Sequence, residues 1–196
     1  MKKTRIGILV GTKGRGSNMR AIIEACQSGR IPGEVVAVFS PKDNTPAVQN
    51  AHALGTEVIL VNPDEPDFAV QFLSLIHCMR IELLCLAGYM RLLPKEIVQA
   101  MPGRILNIHP ALLPKFGGKG MYGMKVHEAV IASGEKESGC SVHYVTEEYD
   151  EGEILLQKKC PVYPEDTPQT LAERILPLEH ECYVEAINLW IERHDD

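Results

Sequence analysis

Short, nearly continuous apolar runs alternating with stretches of helical periodicity constrain the fold of this chain more than any other feature. The runs RIGILV (5–10), EVVAVFS (34–40), EVILV (57–61), ELLCLAG (82–88) and RILNIHP (104–110) have the length and the Val, Ile and Leu content of strands buried on both faces. Between them, Met19, Ile22, Ile23 and Cys26, and then Phe68, Phe72, Leu75, Ile76 and Met79, recur three and four apart as on one face of a helix. Thr45 followed by Pro46 reads as a cap with proline at the first helical position, and Pro94 opens another short helix. This alternation predicts an α/β fold: a Rossmann-like, mostly parallel sheet with helices on both faces.

The second half changes character. A helix bearing Val126, Ala129 and Val130 precedes SGCSVHYVT (138–146) and EILLQKKCPV (153–162), two β-rich runs joined by EEYDEG and expected to extend the sheet edge as a hairpin. EDTP then opens a long helix with Leu171, Ile175, Leu178, Cys182 and Leu189, expected to be kinked or interrupted at Pro177. With 196 residues and 45% apolar content, a single domain is expected.

Twenty Lys and Arg against 26 acids leave a net charge of −6, so no basic stripe points to nucleic acid or a membrane, and small molecules are the expected partners. The start MKKTRIGILVG has too few apolar residues before its glycine for a signal-peptide core, and no later run could span a bilayer, so a cytoplasmic protein is expected. The six cysteines (Cys26, Cys78, Cys85, Cys140, Cys160, Cys182) show no C-x-x-C pair or ligand-like spacing and read as reduced core thiols, with no metal site expected.

Two stretches carry chemistry. GTKGRGSN (11–18) lies between the first strand and the first helix, where free N–H groups and the helix dipole favour an anion. A dinucleotide fingerprint would need glycine where Met19 stands, and a P-loop would need Lys and Ser/Thr where Ser17 and Asn18 stand. What remains suits a single phosphate held by N–H and side-chain donors of Gly16, Ser17 and Asn18, with Arg15 or Lys13 supplying charge; an ordinary turn capped by Ser17 is the alternative. At the end of the fifth run, Asn107 and His109 are two apart and leave a strand on the same side, where parallel sheets place ligands. Either residue alone also reads as structural, and Asp150 reads as a turn aspartate as readily as a catalytic one.

The segments ILNIHPALLPKF and SGCSVHYVTEEYDEGEILLQKKCPV, with GRGSN near the start, resemble the formyltransferases that use 10-formyltetrahydrofolate. The resemblance covers nearly the whole chain, and the phosphate turn and short length select the branch whose acceptor is glycinamide ribotide, in purine biosynthesis. It implies Asn107, His109 and Asp150 as the catalytic trio. It implies Gly16, Ser17 and Asn18 on the ribotide phosphate and Glu179 on the ribose hydroxyls. Met90, Arg91, Leu92 and Leu93, together with Asn107, would line the folate site. Within one 1–196 domain, residues 1–103 would form the phosphate- and ribotide-binding half and residues 104–196 the catalytic and folate-binding half. The formyl donor would be a co-substrate, and no metal is implied.

The implied chemistry is direct attack of the acceptor amine on the formyl carbon through a tetrahedral intermediate. Asn107 would stabilise its oxyanion, Asp150 would raise the pKa of His109 so that it donates as an imidazolium, and the carboxylate would help move the proton. The alternatives are a formyltetrahydrofolate hydrolase, a sugar-amine formyltransferase, a tRNA-directed relative with a further basic domain, or a phosphometabolite-binding module without catalysis. His143 and His127 are expected to be structural members of a strand face and a helix. The loop PKFGGKGMYGMKVHEAV is longer than that of many similar enzymes, and its glycines permit motion without requiring it.

Overall fold

In the computed structural model, which describes residues 2–194, seven strands form one sheet in the order β3-β2-β1-β4-β5-β6-β7. Met1 of the N-terminal stretch and the last two residues lie outside this range. The five apolar runs become β1 (Thr4–Val10), β2 (Gly33–Ser40), β3 (Val58–Leu60), β4 (Leu83–Ala87) and β5 (Ile105–His109), all paired in parallel. The second half adds β6 (Glu137–Tyr144) and β7 (Ile154–Pro161) as an antiparallel edge hairpin, as the sequence indicates.

Between the strands run α1 (Ser17–Gln27), α2 (Pro46–Ala53), α3 (Phe68–Cys78), α4 (Lys95–Ala100), α5 (Met124–Ser133) and α6 (Pro168–His194). The Thr45 hydroxyl accepts from Val48 N–H at 3.2 Å, the expected cap ahead of Pro46. Alternation along each strand divides the apolar residues between two cores. Ile6, Ile8, Cys85, Leu106 and Val142 face α1, α5 and α6, whereas Leu84, Leu86 and Ile105 face α3 and α4. A fully buried Ile or Leu contributes about 1.5–3 kcal/mol, so the first of these cores dominates the sheet's stability.

Two expectations change. Helix α6 runs on through Pro177 without interruption, although proline removes one i→i−4 bond; Leu171 and Ile175 before it and Cys182 to Ile191 after it are held in the same core. Cys78 is exposed rather than buried, because it sits two residues past Ile76, opposite the Phe68–Phe72–Ile76 stripe of α3. The other five cysteines are buried free thiols. No helix among the described residues is long and apolar enough to cross a membrane.

The sheet's carboxyl edge positions the site. Strands β2 and β3 lie on one side of β1 and β4 and β5 on the other, so connections reverse direction between β1 and β4, where α/β sheets open a crevice. Gly11 and Gly88 follow β1 and β4 at that point, and a Cβ on Gly11 would stand 2.1 Å from the Gly88 carbonyl oxygen. From α6, the buried Tyr183 hydroxyl lies 2.8 Å from Leu86 O and 3.0 Å from Leu106 O, tying the helix to the ends of β4 and β5.

Candidate active site

The turn after β1 leaves α1 without a side-chain cap. Gly16 occupies the cap position in the left-handed region (φ 70°, ψ 33°), and Ser17 is the first helical residue, not the cap of the alternative sequence reading. The first α1 amide bonded back into the helix is Arg20 N–H, to Gly16 O at 2.8 Å, so Ser17, Asn18 and Met19 present N–H groups toward the sheet edge. A Cβ on Gly16 would lie 2.8 Å from Ala47 Cβ and 3.0 Å from Ala47 Cα, so position and conformation both demand glycine. Lys13 and Arg15 are exposed, and Asn50 Nδ2 donates to Arg15 O at 2.8 Å, steadying the turn.

Packing of α1 against α6 brings Glu179 to this turn: Asn18 Nδ2 donates to Glu179 Oε1 at 3.2 Å, across 161 residues of sequence. Asn18 Oδ1 is buried with no partner. Burial pushes the Glu179 carboxyl up to about 7, against the downward pull of the Asn18 bond, so near neutral pH it holds its proton about as often as not.

Asn107 and His109 share the β5 face that carries Ile105, beyond the helices, where two loops cover the sheet. Asp150 arrives from the β6–β7 connection in the left-handed region (φ 56°), with Oδ2 3.6 Å from His109 Nδ1 and Oδ1 3.5 Å from His143 Nε2. The turn after β5 joins the two sides. His109 Nε2–H donates to Phe116 O at 2.6 Å, and Gly118 N–H donates to Asp150 Oδ2 at 3.0 Å. Gly117 makes this approach possible, since its Cβ would stand 3.1 Å from Asp150 Cβ and 2.5 Å from Leu113 Cδ2. The base of the turn is held by Ser141, whose hydroxyl donates to Ala111 O at 2.7 Å and accepts from Leu113 N–H at 3.1 Å and Gln157 Nε2 at 2.9 Å.

Electrostatics differ from the sequence expectation at His109. Burial is the largest influence and lowers its pKa; Asp150 and the Phe116 carbonyl pull upward, His143 pulls downward, and the net direction is down. The carboxylate acts in the expected sense but is outweighed. For Asp150 burial opposes ionisation, yet His143, His109 and the Gly118 amide prevail and hold it below the usual carboxylate range.

His143, expected to be structural, lies in the cluster: Asn107 Nδ2 donates to its Nε2 at 3.2 Å. The sequence hides this because the contact depends on register, with Asn107 paired opposite His143 between β5 and β6. His127 is buried on α5 with Nδ1 unpartnered, and burial lowers its pKa. In the loop after β4, Met90 and Leu92 are exposed, Arg91 turns outward to Asp64 at 2.7 Å, and Leu93 is buried in the core under α3 and α4. Parallel pairing of Leu86 with Asn107 brings this loop alongside the end of β5. No group of three or more His, Cys, Asp or Glu among the described residues is arranged to hold a metal ion.

The uncapped terminus of α1 and the half-buried Asn107 amide with its two histidines and carboxylate thus all lie at the carboxyl edge of the mostly parallel sheet. The formyl transferase family pattern matches residues 5–187, and the chain belongs to that family. Phosphoribosylglycinamide formyltransferase, chloroplastic, from Arabidopsis thaliana is 46% identical over 186 residues, covering 92% of this chain and 63% of the relative. Phosphoribosylglycinamide formyltransferase from Escherichia coli is 37% identical over 183 residues, covering 91% and 84%. The crystal structure of glycinamide ribonucleotide transformylase 1 from Symbiobacterium toebii matches with a TM-score of 0.88 at 38% identity, over 97% of this chain and 89% of that one. This chain thus spans less than two thirds of the Arabidopsis relative's length, 63%.

Proposed function

We propose that the chain transfers the formyl group of 10-formyltetrahydrofolate to the amine of 5'-phosphoribosylglycinamide, the acceptor its relatives are named for. One observation carries the proposal. Asn107, His109, His143 and Asp150 form a continuous polar cluster at separations of 3.2 to 3.6 Å, at the same carboxyl edge of the sheet that the uncapped N-terminus of α1 follows.

The acceptor phosphate sits on the free amides of Ser17 and Asn18 beside Gly16, where the helix dipole adds to the hydrogen bonds. The unpartnered Asn18 Oδ1 and the Glu179 carboxyl meet ribose hydroxyls, removing a buried acceptor's unmet bond. The folate lies against the 90–93 loop and the end of β5. The amine attacks the formyl carbon, and the carbonyl pair moves onto oxygen. Asn107 spends one amide hydrogen on His143 and directs the other at the developing oxyanion. His109 donates there only after its Nε2–H leaves the Phe116 carbonyl. Asp150, ionised at rest, takes the proton from the attacking nitrogen, directly or through water, for delivery to N10 as the C–N bond breaks.

Incubation with 10-formyltetrahydrofolate, with and without glycinamide ribotide, tests this by folate absorbance. Turnover is expected only with the ribotide; turnover without it would assign a hydrolase, and none in either case another acceptor or a binding module. Asn107→Ala should lower kcat on the order of 10²–10³-fold with both substrates still bound. His109→Ala and Asp150→Asn should also retain binding and lose most of the rate, and near-normal turnover in either removes the role given to that residue.

A further inference from the structure

Asn107 makes one side-chain hydrogen bond among the described residues, and its partner is His143. The His143 ring is itself fixed. Its Nδ1 lies 3.0 Å from the Tyr144 carbonyl oxygen, which can only accept, so Nδ1 carries a proton; in that tautomer Nε2 is a lone-pair acceptor, whereas a second proton on Nε2 would be donated to Asp150 Oδ1 at 3.5 Å. That acceptor faces Asn107 at 3.2 Å and selects the NH₂ side of the amide over its oxygen. An amide nitrogen has two hydrogens; with one held by His143, the direction of the second is set by the planar group. The backbone supports this. His143 is 2% exposed and lies directly opposite Asn107 in the β5–β6 ladder. The β6–β7 register slips between Val142 and His143, whose partners are Leu156 and Ile154, an irregularity of the kind that re-aims side chains beside active sites. The Tyr144 carbonyl that orients the ring is closely approached by Gly152, where a Cβ would stand 1.6 Å from the oxygen.

We infer that His143 is a positioning residue, whose Nε2 lone pair locks the Asn107 amide so that its second N–H points at the reacting carbonyl oxygen. The inference rests on the oxyanion role proposed for Asn107. Asp150 Oδ1, 3.5 Å from the same Nε2, is the other group His143 could act through, and the test separates the two.

His143→Leu removes the acceptor while keeping apolar volume, whereas His143→Gln can place an amide oxygen near the Nε2 position. In His143→Leu, kcat should fall about 10²-fold, toward the loss expected for Asn107→Ala, with KM for both substrates within about threefold of wild type. His143→Gln should recover most of that rate. If His143 works through Asn107, adding His143→Leu to Asn107→Ala should cost no more than Asn107→Ala alone. A multiplied loss would assign the effect to Asp150 or to the fold and overturn the inference, as would a His143→Leu enzyme turning over at the wild-type rate. Exchange protection of the Asn107 side-chain amide, read by nitrogen-15 NMR, gives an answer without turnover: present in wild type and His143→Gln, lost in His143→Leu. Should His143→Leu fail to fold, the Gln variant decides, since loss of both amide protection and rate there would sink the inference. If wild type turned over no ribotide, the functional reading would fail, while amide protection would still show whether His143 orders Asn107.

Discussion

Single residues at this site are constrained by space and conformation as much as by chemistry. Gly16 shows both, with φ at 70° and the Ala47 Cβ 2.8 Å from where its own Cβ would stand. A left-handed backbone costs a residue with a Cβ about 1–2 kcal/mol before any clash, and the clash is with the backbone and Cβ of α2. Gly16→Ala should therefore lower Tm by roughly 4–8 °C for about 2 kcal/mol lost, and weaken the phosphate site. Calorimetry and the KM for ribotide check this: KM should rise at least tenfold with kcat largely kept, and an unchanged KM would remove the turn from the acceptor site. Glycine at 16 and the same-side pair Asn107 and His109 were legible in the sequence because turn chemistry and strand alternation are local. The downward shift of the His109 pKa was not, since it depends on how much surrounding protein excludes water.

Elements bring these residues together through two loops that meet. The turn 113–118 supplies the Phe116 carbonyl to His109 and the Gly118 amide to Asp150, so the two sides of the cluster are coupled by six residues of backbone. Gly117 is where they touch. Gly117→Ala would set a methyl 3.1 Å from Asp150 Cβ and 2.5 Å from the end of Leu113; the leucine can swing away, but the aspartate's turn must shift. A displacement near 1 Å of a reacting group can cost about 10²-fold, so kcat should drop tenfold to a hundredfold, with Tm lowered by a few degrees. A variant with wild-type kcat would show that Asp150 is not held through this contact. The strands and helices were legible as elements because buried parallel strands and amphipathic helices have distinct periods. The β5–β6 pairing that sets Asn107 against His143 was not, because two strands 36 residues apart carry no mark of which residue faces which. Helix α6 passing Pro177 shows the same limit, with tertiary burial on both sides of the proline overriding a local rule.

At the scale of the whole molecule, the buried titratable groups pull stability in opposite directions with pH. Burial lowers the pKa of His109, His127 and His180, so the unfolded chain binds more protons there, and stability present above about pH 6.5 is lost as pH falls through the folded values. Glu179 does the reverse. Its folded pKa of about 7 lies above the ordinary glutamate value of 4.5, so its contribution is fully present below 4.5 and is lost as pH rises toward and through 7. Between pH 5.5 and 7 the two effects offset each other, and Glu179→Gln removes only the second. The variant's Tm should therefore fall more steeply than wild type on acidification from pH 7 to 5.5, as thermal melts at half-unit steps would show; an equal or shallower slope would mean that Glu179 is ionised throughout in the ligand-free protein. Ribotide binding changes the balance, because hydroxyls that donate to Glu179 favour the carboxylate and pull its pKa down. Binding at pH 6.5 should then release a fraction of a proton, visible in titration calorimetry as a heat that varies with the ionisation enthalpy of the buffer and disappears in Glu179→Gln. This links both halves of the chain in one measurement, since the proton leaves a helix near the C-terminal end while the phosphate that drives binding rests on the turn after the first strand.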